Sequence, residues 1–385
     1  MTSRSAAGAW TMTSKNPPSI QLHAPALPDL PPAIEIGKRA VGPGHPCYII
    51  AEAGSNHDRD LKKALSLVDA AAEAGCDAVK FQTFRGDDIA SDWRGEETRL
   101  PAKFSRWGSS LQELYRACAL PDEFHEPLAQ RARKRGIHFF SSPFSEAAVD
   151  RLAKLGVPAL KIASFELVHL PLIRRAASTG LPLILSTGMA GLGDVERALD
   201  AAVQAGARRL CLLHCGSNYP LSMAGAHLSA METLRRAFGV PVGYSDHTLG
   251  MAVPVAAATL GANVLEKHFT LDRRGDGPDH AFALEPAELR SMVEMMRAAE
   301  QAVGSSRKRR VPEEEPHARR GRRSLFTVHA LKTGAVLGPT DVKVVRPGIG
   351  LEPLLIDLLL GRRLVRNVAA DTPLRWEDFL KGSGA

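Results

Sequence analysis

The residues of this chain best suited to chemistry stand at the ends of short apolar runs. Read from the N-terminus they are Glu52, then Lys80 and Gln82, then Ser142, and then Lys161 with Ser164 and Glu166. Ser186 and Thr187 follow, then His214 and Ser217, then Ser245, Asp246 and His247, and finally Glu266, Lys267 and His268. Two lysines (Lys80, Lys161) and four hydroxyls (Ser142, Ser164, Ser186, Ser245) would supply charge and short hydrogen bonds to a phosphate and a carboxylate. His247 and His268 end neighbouring runs and can meet at one ion. Two histidines plus oxygen ligands suit a transition metal such as manganese, with positions left open for substrate. His214 is a rival ligand. A strand-end serine taken singly is usually satisfied by backbone, and a lone histidine is more often structural. The signal is that eight successive runs all end this way.

Those runs belong to one repeated unit, a β-branched segment followed by an amphipathic helix that closes near glycine. The segments are 47–54, 77–83, 137–144, 159–164, 182–188, 209–215, 241–247 and 263–269. They are too continuously apolar to have a wet face, so they are expected to be buried parallel strands. Helices ending at glycine fit a left-handed C-cap. Eight units in series predict an α/β fold, a (β/α)8 TIM barrel with its active site at the C-terminal ends of the strands. An open doubly wound sheet would be expected to show a Gly-rich phosphate fingerprint after its first strand, and none is there.

The remainder of the 385 residues frames this barrel. Residues 1–44 are rich in Ala, Ser, Thr and Pro and are expected to form a mobile arm without signal-peptide character. The barrel is expected over 45–305. The net charge of +7 is not a distributed basic face. Eight Lys or Arg against three Glu between Ser306 and Ser324 supply five of the seven charges, so 306–322 reads as a solvated basic linker, not a nucleic-acid site. Residues 323–381 have short strand-like pieces and many turns, and read as a small, mostly β domain. No apolar run approaches a membrane span. Five cysteines without C-x-x-C spacing suggest no disulfide framework, and a reduced cytoplasmic setting is expected.

The strand-end residues sit in longer phrases: IIAEAGSNH, DAVKFQ, SSPF, KIASFE, LSTGM, LLHCGSNYP, VGYSDHTLG, EKHFTLD and GPDHAFALEP, then RRSLFTVHALKTGAVLGPTDVKVVRPGIGL. Together, from about Tyr48 to Phe379, they resemble the sialic acid synthase family, which includes N-acetylneuraminate, pseudaminate and legionaminate synthases. The C-terminal part resembles that family's antifreeze-like, or SAF, domain. The resemblance implies condensation of phosphoenolpyruvate with an N-acetylated amino sugar and release of phosphate by C–O cleavage. N-acetylmannosamine giving N-acetylneuraminate is the first expectation. A di-N-acetylated 6-deoxy hexose, as in the pseudaminate and legionaminate branches, is the alternative. It places Glu52 near the reacting carbons and phosphoenolpyruvate on Lys80, Ser142, Lys161, Ser164, Ser186 and Ser245. A divalent metal (Mn2+, with Mg2+ or Co2+ as alternatives) falls on His247 and His268, and Glu166, Tyr219 and Asp279 line the amino-sugar site. Gln82, Ser217 and Lys267 complete the expected substrate contacts. A domain-swapped homodimer is implied, with Arg346 reaching the sugar of the other chain. The family often has Asn-His-Asn-Gly after the first strand, where this chain has Asn56-His57-Asp58-Arg59.

Two other classes compete. A Schiff-base aldolase would use Lys161 or Lys80 as nucleophile. A carbohydrate-binding protein with an inert barrel would have no need of two lysines and two histidines at the strand ends.

Overall fold

The computed structural model describes residues 30–100 and 102–380. The chain forms two compact units that divide between Gly304 and Ser305. In the first, a short hairpin of β1 (Ile34–Ile36) and β2 (Arg39–Val41) precedes eight parallel strands. These are β3 (Tyr48–Glu52), β4 (Ala78–Thr83), β5 (His138–Pro143), β6 (Leu160–Ile162), β7 (Leu183–Ser186), β8 (Leu210–His214), β9 (Val242–Asp246) and β10 (Val264–His268). Their order is β5-β4-β3-β10-β9-β8-β7-β6, with β5 and β6 side by side, so the sheet curls into the expected barrel.

Local chemistry sets the helix boundaries. Asp60 caps the helix Leu61–Glu73 by accepting from the amides of Lys62 and Lys63, and Ser145 caps Glu146–Leu155 through the Ala148 amide. Gly136 and Gly156 end their helices at φ of 77° and 78°, a conformation that a Cβ would disfavour.

The period of two along each strand sorts side chains into two cores. Ile49, Ala51, Val79, Phe81, Leu212 and Leu265 face the helices. Tyr48, Ile50, Ala78, Phe140, Ile184 and Val264 fill the barrel interior near the strands' N-terminal ends. Register then fixes the layer above: Glu52 lies opposite Lys80 on one side and His268 on the other, and Ser245 lies opposite Glu266.

Of the arm expected over 1–44, residues 1–29 lie outside the described residues. Residues 34–41 correct the rest of that expectation. The hairpin places Ile34, Ile36 and Val41 in the barrel-interior core beside Tyr48 and Phe140, so it plugs the floor of the barrel. Three-residue strands flanked by Pro and Gly carry too little alternation to reveal this in sequence.

In the second unit β11 (Ser324–Thr327) pairs antiparallel with β12 (Val342–Val345) over a core that includes Leu325, Leu337, Leu351, Leu359 and Leu374. The basic segment is not wholly a linker. Glu315–Gly321 is a helix with Glu315 in its first turn and Arg319 and Arg320 in its last, which complements the helix dipole. The Arg319 carbonyl accepts from the Gly348 amide at 2.8 Å, which joins the helix to this unit. Among the described residues no helix is long and apolar enough to cross a membrane.

If the hairpin is the barrel's floor, Ile36→Ala should destabilise the protein by about 2–5 kcal/mol in urea unfolding, the cost of a core truncation. An unchanged midpoint would mean that the hairpin only rests on the barrel.

Candidate active site

The C-terminal ends of the strands enclose a network of buried ions. Lys80 Nζ lies 2.7 Å from Glu52 Oε2 and 3.6 Å from Glu266 Oε1, and Lys161 Nζ lies 3.4 Å from the same Glu266 oxygen. All four side chains are at most 5% exposed. Neutral partners complete the network. Gln82 Nε2 donates to Glu52 Oε1 at 3.0 Å, Ser245 Oγ to Glu266 Oε1 at 3.3 Å, and Lys80 Nζ to Ser142 Oγ at 3.1 Å.

Burial and pairing act on these groups in opposite directions. Burial pushes the Glu52 carboxyl up to about 7, against the pull of Lys80. Burial also raises Glu266, but Lys161 and Lys80 together overcome it and hold that carboxyl below its usual range. Burial works against the Lys80 ammonium, yet Glu266 and Glu52 outweigh it and raise Lys80 above its ordinary value. Lys161, with one carboxylate in contact, is left lowered by burial. Near neutrality the proton most easily gained or lost in this network is therefore the one on Glu52.

Beside this network the end of β7 and the loop that follows it, 186–189, make a cradle. A Cβ on Gly188 would lie 2.2 Å from Ser217 Oγ, 2.9 Å from Ser164 Oγ and 3.0 Å from Cys215 Sγ, so glycine lets backbone and hydroxyls converge. The Gly188 amide donates to Ser164 Oγ at 3.1 Å. Ser186 Oγ and Ser217 Oγ are buried without a partner in the protein, which leaves hydroxyl donors for an anion.

His247 and His268 close one side, with ring centroids 5.6 Å apart. His247 Nδ1 faces the Gly216 carbonyl at 2.6 Å; donating there leaves Nε2 with its lone pair. His268 Nδ1 is buried without a partner. Burial lowers both imidazoles, His268 well below its ordinary value, so both are neutral. Neutral rings with available nitrogen fit a divalent metal. Among the described residues no group of three or more His, Cys, Asp or Glu is placed to hold a metal, so two imidazoles would be the protein's share. The Tyr219 ring lies against that of His247, tilted by 42° with centroids 4.2 Å apart. Asp279 reaches the same side, since a Cβ on Gly54 would meet Asp279 Oδ2 at 2.5 Å and His268 Cε1 at 3.5 Å. Glu166 sits half-buried on the turn Ser164–Glu166, 3.4 Å from His169.

Two sequence candidates of the barrel point away from this network. Lys267 lies between Glu266 and His268 on β10 and so points the other way. Its ammonium is spent on Asp246 at 2.5 Å and on the Thr248 carbonyl, making it a structural ion pair and not a substrate contact. His214 likewise faces outward, with Nε2 on the Ala226 carbonyl at 3.2 Å. Arg346 is an exposed residue of the second unit. Glu266, which the sequence reading named at a strand end but gave no role, proves to be the hub between the two lysines. Its signal was parity, because it is two residues before His268.

A model of the NeuB family matches residues 67–308, and a model of the SAF domain matches 322–380. The chain is 42% identical over 345 residues to the N,N'-diacetyllegionaminic acid synthase of Legionella pneumophila, covering 89% of this chain and 97% of that protein. It is 36% identical to the pseudaminic acid synthase of Helicobacter pylori, covering 87% and 98%. Among solved structures it is similar to the N-acetylneuraminic acid (sialic acid) synthetase of Leptospira borgpetersenii, crystallised with citrate. That likeness has a TM-score of 0.67 and 32% identity and covers 75% of this chain and 95% of that one.

The raised Glu52 pKa has a consequence for stability. Its ordinary value of 4.5 is lower than the folded value of about 7, so the folded protein holds this proton more tightly. That contribution is complete below about 4.5 and is lost as pH rises through about 7. Thermal unfolding across this range should therefore show wild type losing stability relative to Glu52→Gln, whose curve is flatter. Parallel curves would show that Glu52 carries no such proton.

Proposed function

The chain belongs to the NeuB family, and from that premise we propose that it joins phosphoenolpyruvate to a di-N-acetylated 6-deoxy hexose, making a legionaminate-type nonulosonic acid. At the coarser level it is a phosphoenolpyruvate-dependent, C–C bond-forming synthase. The observation that carries the finer reading is the 42% identity to a legionaminic acid synthase over nearly its whole length. This moves the substrate away from N-acetylmannosamine, the first expectation from sequence. The pseudaminate branch is the second reading, at 36% identity.

The site chemistry supports such a reaction. Phosphoenolpyruvate carries a phosphate and a carboxylate, and the two lysines with Ser142, Ser164, Ser186, Ser217 and Ser245 provide charge and hydroxyl donors for both. In the proposed sequence C3 of phosphoenolpyruvate attacks the aldehyde carbon of the open-chain sugar. Water adds at C2, and the tetrahedral intermediate expels phosphate with C–O cleavage. A carboxyl with a pKa of about 7 can take a proton from the water or give one to the intermediate near neutrality, and Glu52 is given that role. Lys80 and Lys161 offset the negative charge that develops around it. His247 and His268 would hold a divalent metal, which supplies Lewis-acid polarisation of the aldehyde. Glu166, Tyr219 and Asp279 would line the sugar. The active form is given as a homodimer in which Arg346 of a second copy completes sugar recognition.

The lowered Lys161, inside the network, is a feature that would favour imine chemistry instead. The deciding assay is phosphate release from phosphoenolpyruvate with manganese, run separately with N-acetylmannosamine and with the hexoses that precede legionaminate and pseudaminate. Release is expected with the legionaminate precursor and should stop on adding chelator. Glu52→Gln should cut kcat by about 10²-fold or more. His268→Ala should lose bound metal, read by atomic absorption, together with turnover. Turnover only with another sugar would move the substrate, and borohydride trapping of a lysine with pyruvate would replace the mechanism.

A further inference from the structure

The loops after β3 and β10 are joined by two rungs. In the first, Asp279 Oδ2 accepts from the Ser55 amide at 3.0 Å and from Ser55 Oγ at 2.9 Å. In the second, Asp58 Oδ1 lies 3.1 Å from His280 Nε2. His280 is fully buried, and its other nitrogen lies 2.6 Å from Thr270 Oγ1, at the start of the same loop. A carboxylate can only accept, so His280 Nε2 carries the hydrogen, and Nδ1 can accept from the Thr270 hydroxyl. The loop wraps this ring closely. A Cβ on Gly275 would come within 2.7 Å of it, and one on Gly277 within 2.9 Å of the ring and 3.0 Å of Asp58 Oδ1.

Asp58 is held for this contact at some expense. Asp58 and Arg59 have φ of 46° and 57°, the left-handed region that residues with a Cβ rarely adopt. Three groups hold the turn there. Asp58 Oδ2 pairs with Lys63 Nζ, the Arg59 amide donates to His57 Nδ1 at 3.0 Å, and the Arg59 guanidinium donates to the carbonyls of Arg116 and Ala119. Asp279 immediately precedes His280, so fixing the imidazole fixes the carboxylate beside it.

We propose that Asp58 is a positioning residue: through His280 it fixes the loop that carries Asp279, and so sets affinity for the amino sugar and not for phosphoenolpyruvate. This rests on the reading above, in which Asp279 lines the sugar site. The contact that matters is an acceptor oxygen toward His280, which asparagine can also present. Charge at this position is secondary.

The test compares wild type, Asp58→Ala and Asp58→Asn by steady-state kinetics in both substrates, and by amide hydrogen exchange of the 270–283 segment without substrate. Asp58→Ala should raise the amino-sugar KM about tenfold, the loss of one hydrogen bond, with the phosphoenolpyruvate KM within about twofold. Asp58→Asn should recover most of that rise. Exchange in 270–283 should quicken in Asp58→Ala and stay near wild type in Asp58→Asn. An unchanged sugar KM, an equal rise in both KM values, or failure of asparagine to rescue would each overturn the proposal. Wild-type inactivity on every sugar would sink the functional reading separately. The exchange comparison would then decide the clamp alone, and equal protection in Asp58→Ala would refute it.

Discussion

Four charges buried inside the barrel govern the rest of this structure. Removing Glu52, Lys80, Lys161 and Glu266 from water costs several kcal/mol per ion, which is recovered only if each finds an opposite charge at close range. The arrangement meets that demand unevenly. Glu266 serves two lysines, Lys80 serves two carboxylates, and Glu52 and Lys161 each have a single strong partner. The groups with one partner are the ones whose charged forms burial disfavours, which is why Glu52 is raised and Lys161 lowered. A well-packed apolar set would be an easier way to fill this space. That the sequence spends four ionisable groups here is an argument for chemistry over stability.

Such a network requires rigid support, and strand register provides it. Inward positions on β3, β4, β6 and β10 bring Glu52, Lys80, Lys161 and Glu266 into contact, toward the C-terminal side of an apolar floor of Ile50, Ala78 and Val264. The hairpin seals that floor from beneath with Ile34, Ile36 and Val41. With apolar side chains filling the floor, the polar groups lie toward the opposite rim, where the two histidines and Tyr219 stand. The low-dielectric floor and the polar rim act together: one strengthens the electrostatics that the other directs.

How far the sequence revealed this depends on which physical signal each part carries. Eight buried strands were legible because both faces are covered, so each segment is continuously apolar, and because glycine closes the helices between them. The inward residues were legible only by parity. The strand end EKH contains two inward groups and one outward group. Lys267 looked like a substrate contact, although its neighbours' orientation commits it to Asp246. Glu266 was undervalued for the same reason. The hairpin at 34–41 was illegible because its strands are three residues long and its burial depends on a barrel that folds later in the chain. The helix at 315–321 was hidden by its charge, which resembles a solvated linker until the Gly348 amide is seen on the Arg319 carbonyl.

The same distinction explains why the reaction is easier to recognise than the sugar. The groups suited to phosphoenolpyruvate lie mainly on strands or within a residue or two of them, where register fixes direction and a residue type implies a position. The groups suited to the sugar lie on connections: Glu166 on a turn after β6, Tyr219 after β8, and Asp279 eleven residues beyond β10. Loop residues owe their positions to contacts from distant segments, as Asp279 does to Ser55, and no local pattern announces such contacts. If those connections set the sugar, two chains could keep every strand-end residue and differ in substrate. The phrase SNHDRD shows this directly. Read alone it is a polar turn, and only with His280 in place is Asp58 seen to tie it to the loop that carries Asp279.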